Sequence, residues 1–297
     1  MRILVAVDGS AAALDAVRMV ARLVDPAADG MAFYFSPREL RTRVPDGSQS
    51  IIGGAAAAVF ADARDLLPAD IASRAEFFQD DAPAAVGILD AAAGWKADMV
   101  AVGARGHGSL QRLLGSVSRA VVHGADLPVL VVRAAPPTDR GLKVLVCHHA
   151  ASAAAVAKAL GHVHWPADTE GRVIGVAESL LAGPLPAWIE KRVRDPDTAA
   201  IAKAWQEEHD TEVAELAGRL TAFASELPAV FRDAAPIVAQ GNPGEKIIDE
   251  AKHAGTDLVV LGRTPSDALS RWLLGSTSEA VLAHAAASVL IVPVEKK

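Results

Sequence analysis

The sequence predicts an α/β protein made of two tandem, doubly wound domains, each a five-stranded parallel sheet with helices on both faces. Two observations carry this. The stretches LLGSVSRAVVHGADLPVLVV from Leu113 and LLGSTSEAVLAHAAASVLIV from Leu273 agree at 11 of 20 positions, the mark of an internal duplication. Within each copy, short aliphatic runs alternate with segments of helical periodicity, the pattern of strands buried on both faces by crossover helices.

The elements follow in order. Ile3–Val7 is an aliphatic strand ended by the Asp8-Gly9-Ser10 turn, and Ala11–Leu23 carries apolar residues at helical spacing. Met31–Phe35 is a second strand, Ser36–Ser50 reads as loop around Pro37 and Pro45, and Gly54–Leu67 as an Ala-rich helix. Arg74–Phe78 is the third strand, and Pro83 suits the first position of a helix reaching Gly94 or Trp95. Met99–Val102, a glycine-bearing loop from Gly103 to Gly115, a helix over Ser116–His123 and the strand Val129–Val132 complete the unit. Ala134–Gly141, with Pro136-Pro137, is the linker, so the expected domains are 1–138 and 139–297.

The second half repeats the order at Val144–Cys147, Val173–Val176, Val230–Val238, Leu258–Leu261 and Val289–Val292. The offset between halves grows from 141 at the first strand to 159 at the fourth, so this half carries about eighteen extra residues. Most fall within Leu180–Leu220, which reads as a loop followed by a lengthened helix.

Composition narrows the function. Of 297 residues 51% are hydrophobic and 22% charged, the balance of a globular chain able to fill two cores. A net charge of −7 argues against a nucleic-acid surface, which needs clustered Lys and Arg. Cys147 is the single cysteine, which excludes an intrachain disulfide and a Cys-rich metal framework. Neither a membrane span nor a signal segment is visible, and a cytoplasmic location is expected. Cys147, His148, His149, His162 and His164 lack a recognised ligand spacing, so no metal site is expected. No nucleophile–base arrangement points to efficient catalysis; at most slow ATP hydrolysis is expected.

Chemistry concentrates at the carboxyl ends of strands one and four of the first half, where doubly wound sheets bind ligands. Asp8-Gly9-Ser10 follows strand one, Gly103-Ala104-Arg105-Gly106 follows strand four, and Gly115-Ser116-Val117-Ser118 opens a helix. Glycines allow main-chain amides to approach an anion, and a helix amino terminus adds unpaired N–H groups and a positive dipole end. This is a phosphate cradle, with Asp8 placed to accept from ribose hydroxyls or to help hold a divalent cation. The same glycines also serve tight turns, and the serines also serve as helix caps, so spacing alone leaves both roles open.

AVGARGHGSLQRLLGSVSRAVVHGADLPVLVVR resembles the signature of universal stress protein domains, and RILVAVDGS resembles that family's first strand with its aspartate. GNPGEKIIDEAKHAGTDLVVLG resembles the segment leading into strand four. The resemblance covers the chain twice and implies a tandem protein of the adenine-nucleotide-binding kind. It also implies an intrachain pseudo-dimer, with a further homodimer and a protein partner left open. It implies ATP or another adenine nucleotide, with or without magnesium, held by Asp8, Gly103, Gly106, Gly115, Ser116 and Ser118. One departure stands out: eight residues, not nine, separate Gly106 from Gly115.

The second half departs further. His149 replaces the aspartate, Ala150 matches Gly9, and Pro265, which has no N–H, stands at the second glycine. It is therefore expected to bind nucleotide weakly or not at all and to act as scaffold or regulatory partner. The competing expectation is a nucleotide-free assembly protein that uses the duplicated fold only for interaction.

Overall fold

The computed structural model describes residues 1–41, 49–104, 114–177, 196–263 and 274–294. The first half contains β1 (Arg2–Ala6), α1 (Ala11–Ala21), β2 (Gly30–Phe35) and α2 (Arg38–Arg41), followed by α3 (Gln49–Arg64) and α4 (Ala69–Ala72). It continues with β3 (Glu76–Gln79), α5 (Ala84–Trp95), β4 (Met99–Gly103), α6 (Ser116–Gly124) and β5 (Val129–Val132). The second half contains β6 (Lys143–Cys147), α7 (Ala153–Gly161), β7 (Glu170–Ala177) and α8 (Pro196–Glu226). β8 (Ile237–Gln240), α9 (Pro243–Ala254), β9 (Leu258–Arg263), α10 (Ser276–His284) and β10 (Ser288–Pro293) complete it.

Both five-stranded units form as the alternation of aliphatic runs and helices requires, and they merge into one sheet. Its order is β3-β2-β1-β4-β5-β10-β9-β6-β7-β8. Every pairing is parallel except the central one, where β5 and β10 run antiparallel with Leu130 opposite Leu290. β5 is buried along its whole length, and an end strand so apolar needs a neighbour on its open side. The antiparallel joint makes the two halves face opposite ways, so their carboxyl ends open on opposite margins of the sheet.

Strand alternation feeds two apolar layers. Ile3, Val5, Leu130, Val132, Leu290 and Val292 face one, while Leu4, Val129, Val131, Val289 and Ile291 face the other. Each layer crosses the joint, so the halves share a core. Polar contacts reinforce the joint: Glu279 accepts from Arg119 at 3.2 Å and pairs with His123 at 2.9 Å. In the linker region Arg140 holds Asp257 through two bonds of 2.7 and 2.9 Å.

Three local expectations are corrected. Pro83 lies just outside α5 with ψ of 131°, capping the helix instead of beginning it. Ser36–Ser50 is not loop throughout, since α2 forms inside it and α3 begins at Gln49. The run from Val230 is not one strand: Ala229–Phe231 is a 3-10 turn that buries Phe231 against Gly171, and β8 starts only at Ile237. The expected long helix is α8, 31 residues, whose Leu216 and Leu220 pack onto Gly175 of β7.

Candidate functional site

Strand order reverses between β1 and β4, which pair with Val5 beside Ala101. Asp8 leaves the first of these strands and Gly103 ends the second, so the structure brings both to one crevice mouth, the position where such sheets take ligands. The Asp8 carboxylate is exposed, and its Oδ1 accepts from the Ser10 amide at 2.9 Å, which shapes the turn. Gly9 sits at φ +79°, a conformation that suits glycine. Ser10 caps α1 by accepting from the Ala13 amide at 3.2 Å.

Gly103 is glycine for a packing reason. A β carbon there would lie 2.7 Å from the carbonyl carbon of Ala12, so the end of β4 seats directly on the first turn of α1. Beyond it, the Gly115 amide donates to the Ala104 carbonyl at 2.8 Å, closing the base of the loop. Gly106, Arg105, His107 and the rest of 105–113 lie outside the described residues.

α6 then begins with no side-chain cap: Gly115 is its N-cap residue, with φ −62° and ψ 151°. The first-turn amides of a helix have no intrahelical acceptor. Among the described residues, nothing lies within 4 Å of a β carbon built at Gly115. Packing explains Gly103 but not Gly115; open space at an uncapped helix start is what an anion requires. Ser116 is exposed beside it. Ser118 differs from its expected role, being buried, with its hydroxyl donating to the Gly103 carbonyl at 2.6 Å.

α10 also starts with no side-chain cap, at Gly275, and no described atom lies within 4 Å of a β carbon built there. The second half thus has the same frame and differs in the residues around it. Its reversal lies between β6 and β9, with exposed His149 beyond the first and Gly262 within the second. Gly262 abuts buried Ser152 at the start of α7, and Ser278 Oγ lies 3.5 Å from the Gly262 carbonyl. Arg263 occupies the position of Ala104, and sequence reading missed it. Its guanidinium crosses the joint to donate to the carbonyls of Val122 (2.9 Å), His123 (3.2 Å) and Ala125 (2.7 Å) at the end of α6. Burial lowers its pKa. The alignment offset of 159 was the available signal, an arginine where the first copy has alanine. Pro265 and Trp272 fall outside the described residues.

The histidines near β6 do not converge. His148 packs edge-on against Phe223, with ring centroids 5.1 Å apart, and Cys147 is buried. Among the described residues, no group of three His, Cys, Asp or Glu side chains could hold a metal ion, and no helix is long and apolar enough to cross a membrane.

A model of the universal stress protein family matches residues 1–133 and 187–293. The chain belongs to the universal stress protein family. A universal stress protein of Mycolicibacterium smegmatis is 34% identical over 199 residues, and one of Mycobacterium tuberculosis is 33% identical over 201. Each alignment takes in 66% of this chain, which spans 62% of the length of those relatives. Among solved structures, a universal stress protein from Archaeoglobus fulgidus superposes with a TM-score of 0.61 at 18% identity, covering 98% of both chains. A Pseudomonas aeruginosa counterpart gives 0.59 at 17%, over 98% of this chain and 92% of its own. These likenesses establish the tandem α/β fold of the family.

Proposed function

We propose that the first unit, residues 1–138, binds one adenine nucleotide and that the second, residues 139–297, serves as scaffold. The observation that carries this reading is the uncapped start of α6 at Gly115 together with the exposed Asp8 carboxylate beside the β1–β4 reversal. α10 starts the same way at Gly275, but His149 stands there in place of the aspartate. Phosphate oxygens would be held by the first-turn amides of α6 and the Ser116 hydroxyl, with the helix dipole adding attraction. Gly106 would lend its amide in the manner of the family pattern. Asp8 would accept from the ribose hydroxyls or share a magnesium ion with the phosphates. Gly103 and Ser118 would act as positioning residues: the first lets α1 and β4 meet, and the second ties the start of α6 to β4.

The family points to a stress-response role, and we place the protein in the cytoplasm. Occupancy of the first site would change the surface around Gly115 that a partner protein reads. No side-chain arrangement among the described residues argues for rapid turnover, so we assign at most slow ATP hydrolysis.

A second reading has an observation behind it. Two of the groups expected to hold phosphate, the Gly115 amide and the Ser118 hydroxyl, are already engaged within the fold. This favours a nucleotide-free assembly protein. Mass spectrometry of the purified, denatured protein, together with a thermal shift on adding ATP, separates the two. Co-purifying adenine nucleotide or a saturable rise in Tm supports binding; neither being present supports assembly.

A further inference from the structure

α6 has nine residues, about 13 Å of helix, and a helix this short is marginal without tertiary support. The cradle uses only its first turn, so whatever fixes the axis of α6 also fixes the phosphate-binding amides. Within its own half, Ser118 ties that turn to the Gly103 carbonyl. The other end is held differently. Ala125 leaves the helix in extended backbone, with φ −77° and ψ 137°, and its amide returns to the Val121 carbonyl. The carbonyls that follow Val121 therefore have no amide of the helix to accept from.

Arg263 of the second half supplies those donors. It ends β9, and its guanidinium meets the Val122, His123 and Ala125 carbonyls at 2.9, 3.2 and 2.7 Å. Arginine suits this task better than lysine. Its planar fork reaches several acceptors at once, and its charge faces the negative end of the helix dipole. Glu279 on α10 adds a second hold on the same helix, through Arg119 and His123.

The antiparallel joint explains how the second half can do this. α6 begins where the first-half strands end and finishes at the opposite margin of the sheet, where the second-half strands end. β9 therefore delivers Arg263 to the far end of the helix that opens the first crevice. The arrangement is reciprocal. Arg133, directly after β5, donates to the Leu282 carbonyl near the end of α10, and Leu282 is the counterpart of Val122. Each half thus closes the end of the other's glycine-led helix, a recurrence that an incidental contact would not produce.

We propose that Arg263 is a positioning residue of the first-half site, supplied by the second half to fix α6 so that its first-turn amides stand where phosphate needs them. The second unit then completes the nucleotide site instead of merely lying beside it. This inference rests on the nucleotide reading above.

The test is calorimetric titration of magnesium–ATP, well below the unfolding temperature, with hydrogen exchange of the α6 amides read by mass spectrometry. It uses the whole chain and its Arg263→Ala and Arg140→Ala forms. Arg140→Ala controls for lost stability, since it removes the linker pair with Asp257. In Arg263→Ala, affinity should fall roughly fivefold and the α6 amides should exchange roughly fivefold faster. In Arg140→Ala both should stay within about twofold of the original. Where the alanine form does not fold, Arg263→Lys, which keeps the charge and one donor nitrogen, should show a loss of about twofold. Unaltered affinity in the Arg263 variant, unaltered α6 exchange, or equal losses in Arg140→Ala overturn the proposal. An original chain that takes up no ATP sinks the nucleotide reading and this inference with it. An original chain that binds, with an Arg263 variant that binds as well, sinks this inference alone.

Discussion

Ser118 Oγ donates to the carbonyl oxygen of Gly103 at 2.6 Å, tying the first turn of α6 to the end of β4. The serine expected to touch phosphate is thereby a fastener within the fold. Ser118→Ala should cost about 1 kcal/mol, the usual net worth of such a bond, measured by urea denaturation. Ser116→Ala should instead leave stability within about 0.5 kcal/mol, as for an exposed position, and weaken ATP binding several-fold. Equal effects on affinity would contradict this division of roles.

Gly103 and Gly115 separate in the same way. Gly103→Ala forces a β carbon against the Ala12 carbonyl carbon, and should destabilise the protein by about 1–3 kcal/mol through overpacking. Gly115→Asp meets no atom of the described residues and supplies a better N-cap, so Tm should hold or rise. Its carboxylate would occupy the α6 amides and repel phosphate. ATP affinity should therefore fall at least tenfold in a protein as stable as the original.

Arg263 supplies three hydrogen bonds across the joint. Arg263→Ala leaves the Val122, His123 and Ala125 carbonyls without that donor, and should lower stability by about 1–3 kcal/mol. Circular dichroism during denaturation would read it. A change under about 0.3 kcal/mol would mean that water replaces the guanidinium at no cost.

His148 ties stability to pH. Its pKa is lowered from 6.5, first by burial and then by the positive charge of Arg219 and by His149. The unfolded chain thus binds the proton more readily than the native one in the window just below about 6.5, and stability rises with pH there. As pH falls through that window toward the depressed value, this contribution is lost. His148→Phe should flatten the slope of unfolding free energy against pH below about 6.5, with little change of slope above it.

Much of this was written in the sequence because duplication repeats every signal. Each strand of the first half has a counterpart, and the aliphatic runs fix the sheet whatever the local propensity. The lengthened helix followed from the change in offset, and α8 occupies most of that region. Other features depended on tertiary contacts. Phe231 is apolar because its ring fills the space over Gly171, and Val230 packs against the same core layer, which a strand pattern cannot distinguish from sheet pairing. The antiparallel union of β5 with β10 left only an indirect trace, two end strands too apolar to face water. For the candidate site, the sequence brought Asp8, Gly103, Gly115 and Ser116 to one mouth. It could not reveal that Ser118 turns inward, because a serine in the first helical turn looks the same whether it faces a ligand or a carbonyl.

The most direct test is calorimetric titration of magnesium–ATP into the whole chain and into its Gly115→Asp form. One nucleotide per chain, with binding lost in a variant that still unfolds at the original temperature or above, is the predicted result. Two equivalent sites, or unaltered affinity in Gly115→Asp, would contradict a single cradle at the start of α6.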